Sequence, residues 1–410
     1  MRHNWSSNVN FQEQEYLEPT NLDDLQDIVA SQKFVRARGS AHSFNSIADS
    51  NNTIVSLEKM PQTIEIDEAK QNVKVSSFLK YGELVPTLHA RGWALSNLAS
   101  LPHISIAGSV STATHGSGIL NKNLAAQVAA VEFIDSTGSI RHLTEGGREY
   151  EAYVVGLGLT GIITNYWLKI EPSFNVKQII YENVSDIELE KSFDEIMGTA
   201  YSVSFFTRWD SSNQGNLWCK FKENQYIPDI VSGAHQATKK LHPIPEVDPV
   251  AATEQFGVTG PWLERLAHFK LDFTPSVGDE IQSEFFVDRK NAPAVIQKLR
   301  ELSPKFRDML WISELRTIAA DNFWMSTASA RDSVGFHFTW KKSNFDPKIV
   351  KEIEENLVQF DYRPHWGKVF YAESRYLRNV YPKYSDFVEA VNLIDPNKKF
   401  SNQFTTLLFQ

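Results

Sequence analysis

The run Val35-Arg36-Ala37-Arg38-Gly39-Ser40-Ala41-His42-Ser43-Phe44-Asn45 constrains this chain more than any other. A β-branched and basic strand runs into small residues and then presents one imidazole. Small residues let a backbone wrap closely around an anionic group, with a nucleophilic side chain at the tip. The plainer reading is a turn between two strands with a surface histidine. A second small-residue loop, Ser105-Ile106-Ala107-Gly108-Ser109-Val110-Ser111-Thr112-Ala113-Thr114-His115-Gly116-Ser117-Gly118, favours the first reading.

At 410 residues the chain is too long for one ordinary core, so two domains are expected. A net charge of −9 argues against a nucleic-acid partner, whose phosphates require basic patches. The single cysteine, Cys219, excludes an intrachain disulfide and a cysteine-rich metal site, and no metal site is expected. The start, Met1-Arg2-His3-Asn4-Trp5, lacks the apolar core of a signal peptide, and no run approaches the roughly 20 apolar residues of a membrane span. The expectation is a cytoplasmic monomer.

Helices are expected over Asn21–Gln32, capped by Thr20 or Asn21, and over Tyr81–Arg91, stopped by Gly92. Short strands are expected over Thr53–Leu57, Thr63–Asp67, Asn72–Ser76 and Val128–Asp135. Val154-Val155-Gly156-Leu157-Gly158-Leu159-Thr160-Gly161 matches the dinucleotide fingerprint, which should open a helix. Here the strand-like Ile162–Ile170 follows, so a Rossmann site is rejected. Beyond Glu171-Pro172 strands come in runs with helices at Ala292–Leu302 and Pro347–Val358, which predicts an α+β second domain.

In a strand over Ile312–Thr317, Glu314 and Arg316 share one face; so do His337 and Thr339 in Gly335–Trp340. Two strands can then present Glu, Arg, His and Thr to one concave surface, although half-exposed strands with solvated polar faces would look similar. Tyr362-Arg363-Pro364-His365-Trp366-Gly367-Lys368 reads as a loop. Hydrolase, zincin and P-loop signatures are missing. Hydroxyl-binding groups beside two small-residue loops suit a polyhydroxylated substrate facing a phosphate-bearing cofactor.

These segments, with Asn97-Leu98-Ala99-Ser100-Leu101-Pro102-His103, give the chain its resemblance. It resembles the alditol (xylitol) oxidases of the vanillyl-alcohol-oxidase flavoprotein superfamily. The resemblance is most specific over Ser313–Asp321, Arg331–Trp340 and Arg363–Lys368, and it does not extend to residues 176–277. It implies an α+β, two-domain flavoprotein. A PCMH-type FAD-binding domain would span residues 1–172, a mixed-sheet substrate (cap) domain 173–372, and a C-terminal segment, 373–410, would return to the FAD domain.

The resemblance also implies FAD bonded covalently through the His42 ring to the flavin 8α-methyl group. The remaining cofactor contacts would be Arg38, Gly39, Ser40, Ala41, Ser43, Ser100, Ser105, Gly108, Ser109, Ser111, Thr112, His115, Gly161, Ile163 and His365. Ala99 matches a position that gates oxygen access. Ser100, Glu314, Arg316, His337, Thr339 and Lys368 match substrate positions. Of these, Lys368, His337, Arg316 and Glu314 would be catalytic, with Lys368 and His337 both candidates for the proton acceptor. Leu315 stands where an Ile is common, and Thr327–Ala330 is an unfamiliar version of its stretch. The implied activity is oxidation of a terminal alditol hydroxyl, with O2 reoxidising the flavin to give hydrogen peroxide. The alternatives are a sugar-1,4-lactone oxidase or dehydrogenase of the same superfamily and a flavin-fold binding protein without turnover.

Overall fold

A computed structural model describes residues 2–147, 149–273 and 278–409. The outermost residues of the expected domain ranges, 1 and 410, lie outside the described residues.

Near the N-terminus three short strands pair in parallel, with Thr53–Val55 between Glu15–Leu17 and Val35–Ala37. Helix Leu22–Ser31 begins where the Asn21 side chain accepts the Asp24 N–H, and it places Leu25 and Val29 inward. These residues pack with Val35, Val55, Ile134, Ile162 and Phe400. A five-stranded antiparallel sheet follows, in the order Ile64–Asp67, Asn72–Ser76, Ile162–Lys169, Val128–Ile134, Ile140–Thr144. Strict alternation drives it: Val73 and Val75 are buried while Asn72, Lys74 and Ser76 face outward.

The largest sheet has eight strands. Its order is Gly260–Pro261, Asn175–Ser185, Gln214–Lys222, Ser202–Thr207, Leu310–Ile318, Ser333–Lys341, Glu280–Asp288, Arg363–Pro364. The α+β architecture stands, but the mixed sheet does not: every pairing in this sheet is antiparallel. On one face Leu315, Phe336 and Phe338 join a core with Val295, Ile296 and Leu299 of helix Ala292–Leu302 and Ile349, Val350 and Ile353 of helix Pro347–Leu357. Leu315 therefore points away from Glu314 and Arg316, into apolar packing.

Two local expectations need correction. Ile106–Ser111, read as loop, forms a short helix. Arg363–Pro364, also read as loop, is a two-residue edge strand opposite Phe285 and Phe286. A proline is tolerated there because an edge strand leaves one side of its backbone unpaired.

The C-terminal segment packs against the strand that leads to His42. Lys399 O accepts the Val35 N–H at 3.0 Å, and the Arg36 guanidinium donates to Phe400 O. Asn402 Nδ2 donates to Ser46 O at 2.9 Å and to Asp49 O at 2.7 Å.

Candidate active site

Strand Val35–Ala37 ends at a turn in which Ala41 takes a left-handed φ of 55°. Among the described residues, the N–H groups of Gly39, Ala41, His42 and Ser43 meet no protein acceptor. Such a row of open donors is suited to an anion. The second loop is stitched to the first: the Ser105 N–H donates to Ser40 Oγ at 3.0 Å, and the Ser40 N–H to Ser105 Oγ at 3.3 Å. This contact requires glycine at 39, where a Cβ would stand 2.3 Å from Ser105 Oγ. Gly161, at φ +144°, lets the chain pass close to Ile134, where a Cβ would stand 2.6 Å from Ile134 O. Strand Ile162–Lys169 follows it directly, so the glycine fingerprint opens no helix.

The His42 ring stacks on Trp5 with centroids 5.6 Å apart, and its Nδ1 lies 3.1 Å from Ser40 Oγ. Burial lowers its pKa to about 4, so at neutral pH the ring carries a lone pair, as a nucleophile must. The open N–H groups and this neutral imidazole fit a pyrophosphate-bearing flavin. Not every predicted contact offers its polar group. Arg38 spends its charge on Glu13, 3.3 Å away, and stacks over Phe11. The Ser109 and Thr112 hydroxyls donate back to Ser105 O and Gly108 O.

The same cavity runs from this loop to the large sheet. It is bordered by every residue expected to touch cofactor or substrate. The two ends are tied directly: the Phe44 N–H donates to Gly367 O at 2.7 Å, and Asn45 Nδ2 donates to Lys368 O at 2.7 Å. At the sheet end, strand register sets Glu314 opposite His337, and His337 opposite Glu284. Period-two alternation then turns Glu314, Arg316, His337 and Thr339 into the cavity.

Lys368 Nζ lies 2.6 Å from Glu284 Oε2 and 2.7 Å from His337 Nδ1. His337 Nε2 is 2.9 Å from Thr339 Oγ1. Arg316 Nη1 donates to Ser100 Oγ at 3.2 Å, Nη2 to Glu284 Oε1 at 3.0 Å, and Nε is 3.4 Å from Glu314 Oε2. Glu314 thus orients Arg316, and its other oxygen binds His268 Nε2 at 2.9 Å. His365 borders the cavity and accepts the Gly367 N–H on Nδ1.

Burial and charge tune these groups. Burial, aided by Lys368, lowers His337 to about 4. Burial also pulls Lys368 below the ordinary lysine range, against the attraction of Glu284. For Glu284 burial works upward, but Lys368, Arg316 and His115 outweigh it and hold the carboxyl well below its usual range. Arg316 and His268 likewise overcome burial to keep Glu314 ionised.

Sequence reasoning missed Glu284 and His268. For Glu284 the signal was present: Glu280, Gln282 and Glu284 alternate with Ile281, Ser283 and Phe285, the period of a strand that turns one face to the cavity. His268 lies in the stretch without usable resemblance, and nothing local marks it. His115, Glu284 and His365 stand close enough to hold a metal ion. Arg316 and Lys368 already bond one oxygen each of Glu284, however, and two cations beside a metal would repel it.

Comparisons with known proteins agree with this geometry. Residues 14–144 match the FAD binding domain family, and residues 278–408 match the D-arabinono-1,4-lactone oxidase family. An alditol oxidase from Streptomyces sp. is 39% identical over 405 residues, spanning 98% of this chain and 97% of its own. An L-gulono-1,4-lactone dehydrogenase from Mycobacterium tuberculosis is 25% identical, spanning 94% of each chain. The crystal structure of a cholesterol oxidase from B. sterolicum superposes with a TM-score of 0.78 at 13% identity, over 100% of this chain and 96% of that one, a likeness of fold alone. With 39% identity over nearly its whole length to one member, the chain belongs to the alditol oxidase family of FAD-binding oxidoreductases.

Proposed function

We propose that this enzyme oxidises the terminal primary hydroxyl of an alditol, xylitol or sorbitol, to the aldose, with O2 as the final acceptor and hydrogen peroxide as the second product. One observation carries this reading. A single cavity joins the open N–H groups around His42 to the buried cluster of Glu314, Arg316, His337 and Lys368. In this reading residues 1–172 and 373–410 hold FAD, tethered through His42, and residues 173–372 hold the polyol. Bound FAD supplies a hydride acceptor and the route to O2. The enzyme works as a monomer in the cytoplasm. Size-exclusion chromatography checks the first of these, and no described helix is long and apolar enough to cross a membrane.

The chain's own residues handle the proton and the developing charge. Lys368 and His337 face each other through two basic nitrogens 2.7 Å apart. Lys368, pulled down by burial, can reach its neutral form and accept the hydroxyl proton. Arg316 beside Ser100 offsets negative charge on the substrate oxygen. Glu314 and Thr339 bond the remaining hydroxyls. A substrate lacking those hydroxyls would leave buried polar groups unpaired, which discriminates strongly.

The D-arabinono-1,4-lactone oxidase match over residues 278–408 favours a second reading, oxidation of a sugar 1,4-lactone. The 39% identity to an alditol oxidase, against 25% to a lactone dehydrogenase, ranks it lower. Purified protein given xylitol, sorbitol or L-gulono-1,4-lactone, with peroxide detection, separates the two. Turnover of the alditols is expected; turnover of the lactone alone would overturn the first reading.

A further inference from the structure

Four titratable side chains converge on Glu284, and the polyol-oxidation chemistry above gives it no part. Its side chain is fully buried. Oε1 receives Arg316 Nη2 at 3.0 Å and faces His115 Nε2 at 3.1 Å; Oε2 receives Lys368 Nζ at 2.6 Å and lies 3.6 Å from His337 Nδ1. The backbone is committed as well: Glu284 O accepts the His365 N–H at 2.9 Å. The neighbouring strand is shaped around this carboxylate. At Gly335 a Cβ would stand 2.9 Å from Glu284 Oε1, so any side chain there would crowd it.

The contacts are not equivalent. His115 Nδ1 faces Gly116 O at 2.8 Å, and a carbonyl can only accept, so that nitrogen carries a proton. Its Nε2 then bonds Glu284 only when it holds a second proton. The Lys368 and Arg316 contacts carry no such condition. Those two cations are also the groups that reach the reacting end: Lys368 continues to His337, and Arg316 to Ser100. A single buried anion therefore bridges two cations that would otherwise repel each other in a low-dielectric site, and Glu314 beside Arg316 supplies the second negative charge.

We propose that Glu284 is the positioning residue of this site: its carboxylate holds the Lys368 amine against His337 and the Arg316 guanidinium against Ser100. It does not touch the polyol; it acts through the two cations. This rests on the reading that an alditol hydroxyl is oxidised in this cavity. One consequence concerns charge. Burial pushes Lys368 toward its neutral form, and Glu284 opposes that push. Arg316, His337, His365, His115 and Glu314 are the other titratable groups from the packed elements, and Glu284, at 2.6 Å, and the neutral His337, at 2.7 Å, are the two that bond Lys368. Removing the Glu284 charge lowers the pKa of Lys368 further.

The test is Glu284→Gln in the flavin-loaded enzyme, which keeps the shape and removes the charge. The pH dependence of Lys368 carbamylation by cyanate, read by peptide mass spectrometry, reports the lysine without any turnover. Its midpoint is expected to fall by about 1–3 pH units. The acid limb of the xylitol kcat/KM profile should move in the same direction. At neutral pH kcat should fall about 10²-fold, with KM changing much less because Glu284 does not touch substrate. If Glu284→Gln does not fold, Glu284→Asp carries the test. It keeps the charge but draws it back by one methylene, so the midpoint should move the same way by a smaller amount. A carbamylation midpoint and a pH profile unchanged from the wild type would overturn the proposal. If the wild type oxidises no alditol, the functional reading fails, and the carbamylation curve still decides the role of Glu284.

Discussion

The two ends of the cavity are built on opposite principles. The His42 end is lined by backbone: open N–H groups, small side chains and glycines packed against Ser105. The sheet end is lined by ionised side chains that neutralise one another across neighbouring strands. Backbone donors are fixed by the fold and need no tuning, which suits a resident cofactor. A charge cluster is costly to bury, and its protonation states respond to small changes, which suits proton transfer. The link through Phe44, Asn45, Gly367 and Lys368 keeps the two ends in register.

Substitutions at each end should fail differently. Lys368→Ala should give the largest change, a loss of about 10²–10⁴-fold in kcat on xylitol with flavin content retained. Undiminished activity would remove Lys368 from the proton path. Arg316→Ala takes the shared guanidinium from two buried carboxylates, leaving Glu284 to Lys368 and Glu314 to His268, and should cost about 3–5 kcal/mol of stability, seen as a lower Tm. An unchanged Tm would mean the cluster is less coupled than its distances indicate. Gly39→Ala at the other end should cost about 1–3 kcal/mol through overpacking against Ser105 Oγ and should lower flavin content. Adding Ser105→Ala to that variant should restore part of the loss, since it removes the colliding atom. If it restores nothing, the tight contact between the loops is not what shapes the cofactor end.

The same contrast explains what could be read from the sequence. The His42 loop is contiguous, so its small residues and lone imidazole are visible in one window. Period-two alternation is equally local, and it placed Glu314, Arg316, His337 and Thr339 on cavity-facing positions. Glu284 shows the limit. Its strand was legible, but its importance comes from partners at 115, 316 and 368 that only the fold assembles. Ile106–Ser111 was missed because Gly108, two serines and a β-branched valine are weak helix formers; here tertiary packing of Ile106 and Val110 overrides propensity. The mixed sheet was expected from family likeness, and chain-order signals do not reveal strand direction in a sheet whose neighbours are far apart in sequence, as Ser204 and Arg316 are.

The claim that the backbone-lined end holds a tethered flavin is tested most directly by acid precipitation of the purified enzyme. The account predicts that visible flavin absorption stays with the wild-type pellet and passes to the supernatant in His42→Ala. Flavin released from the wild-type protein by acid would contradict the tether at His42.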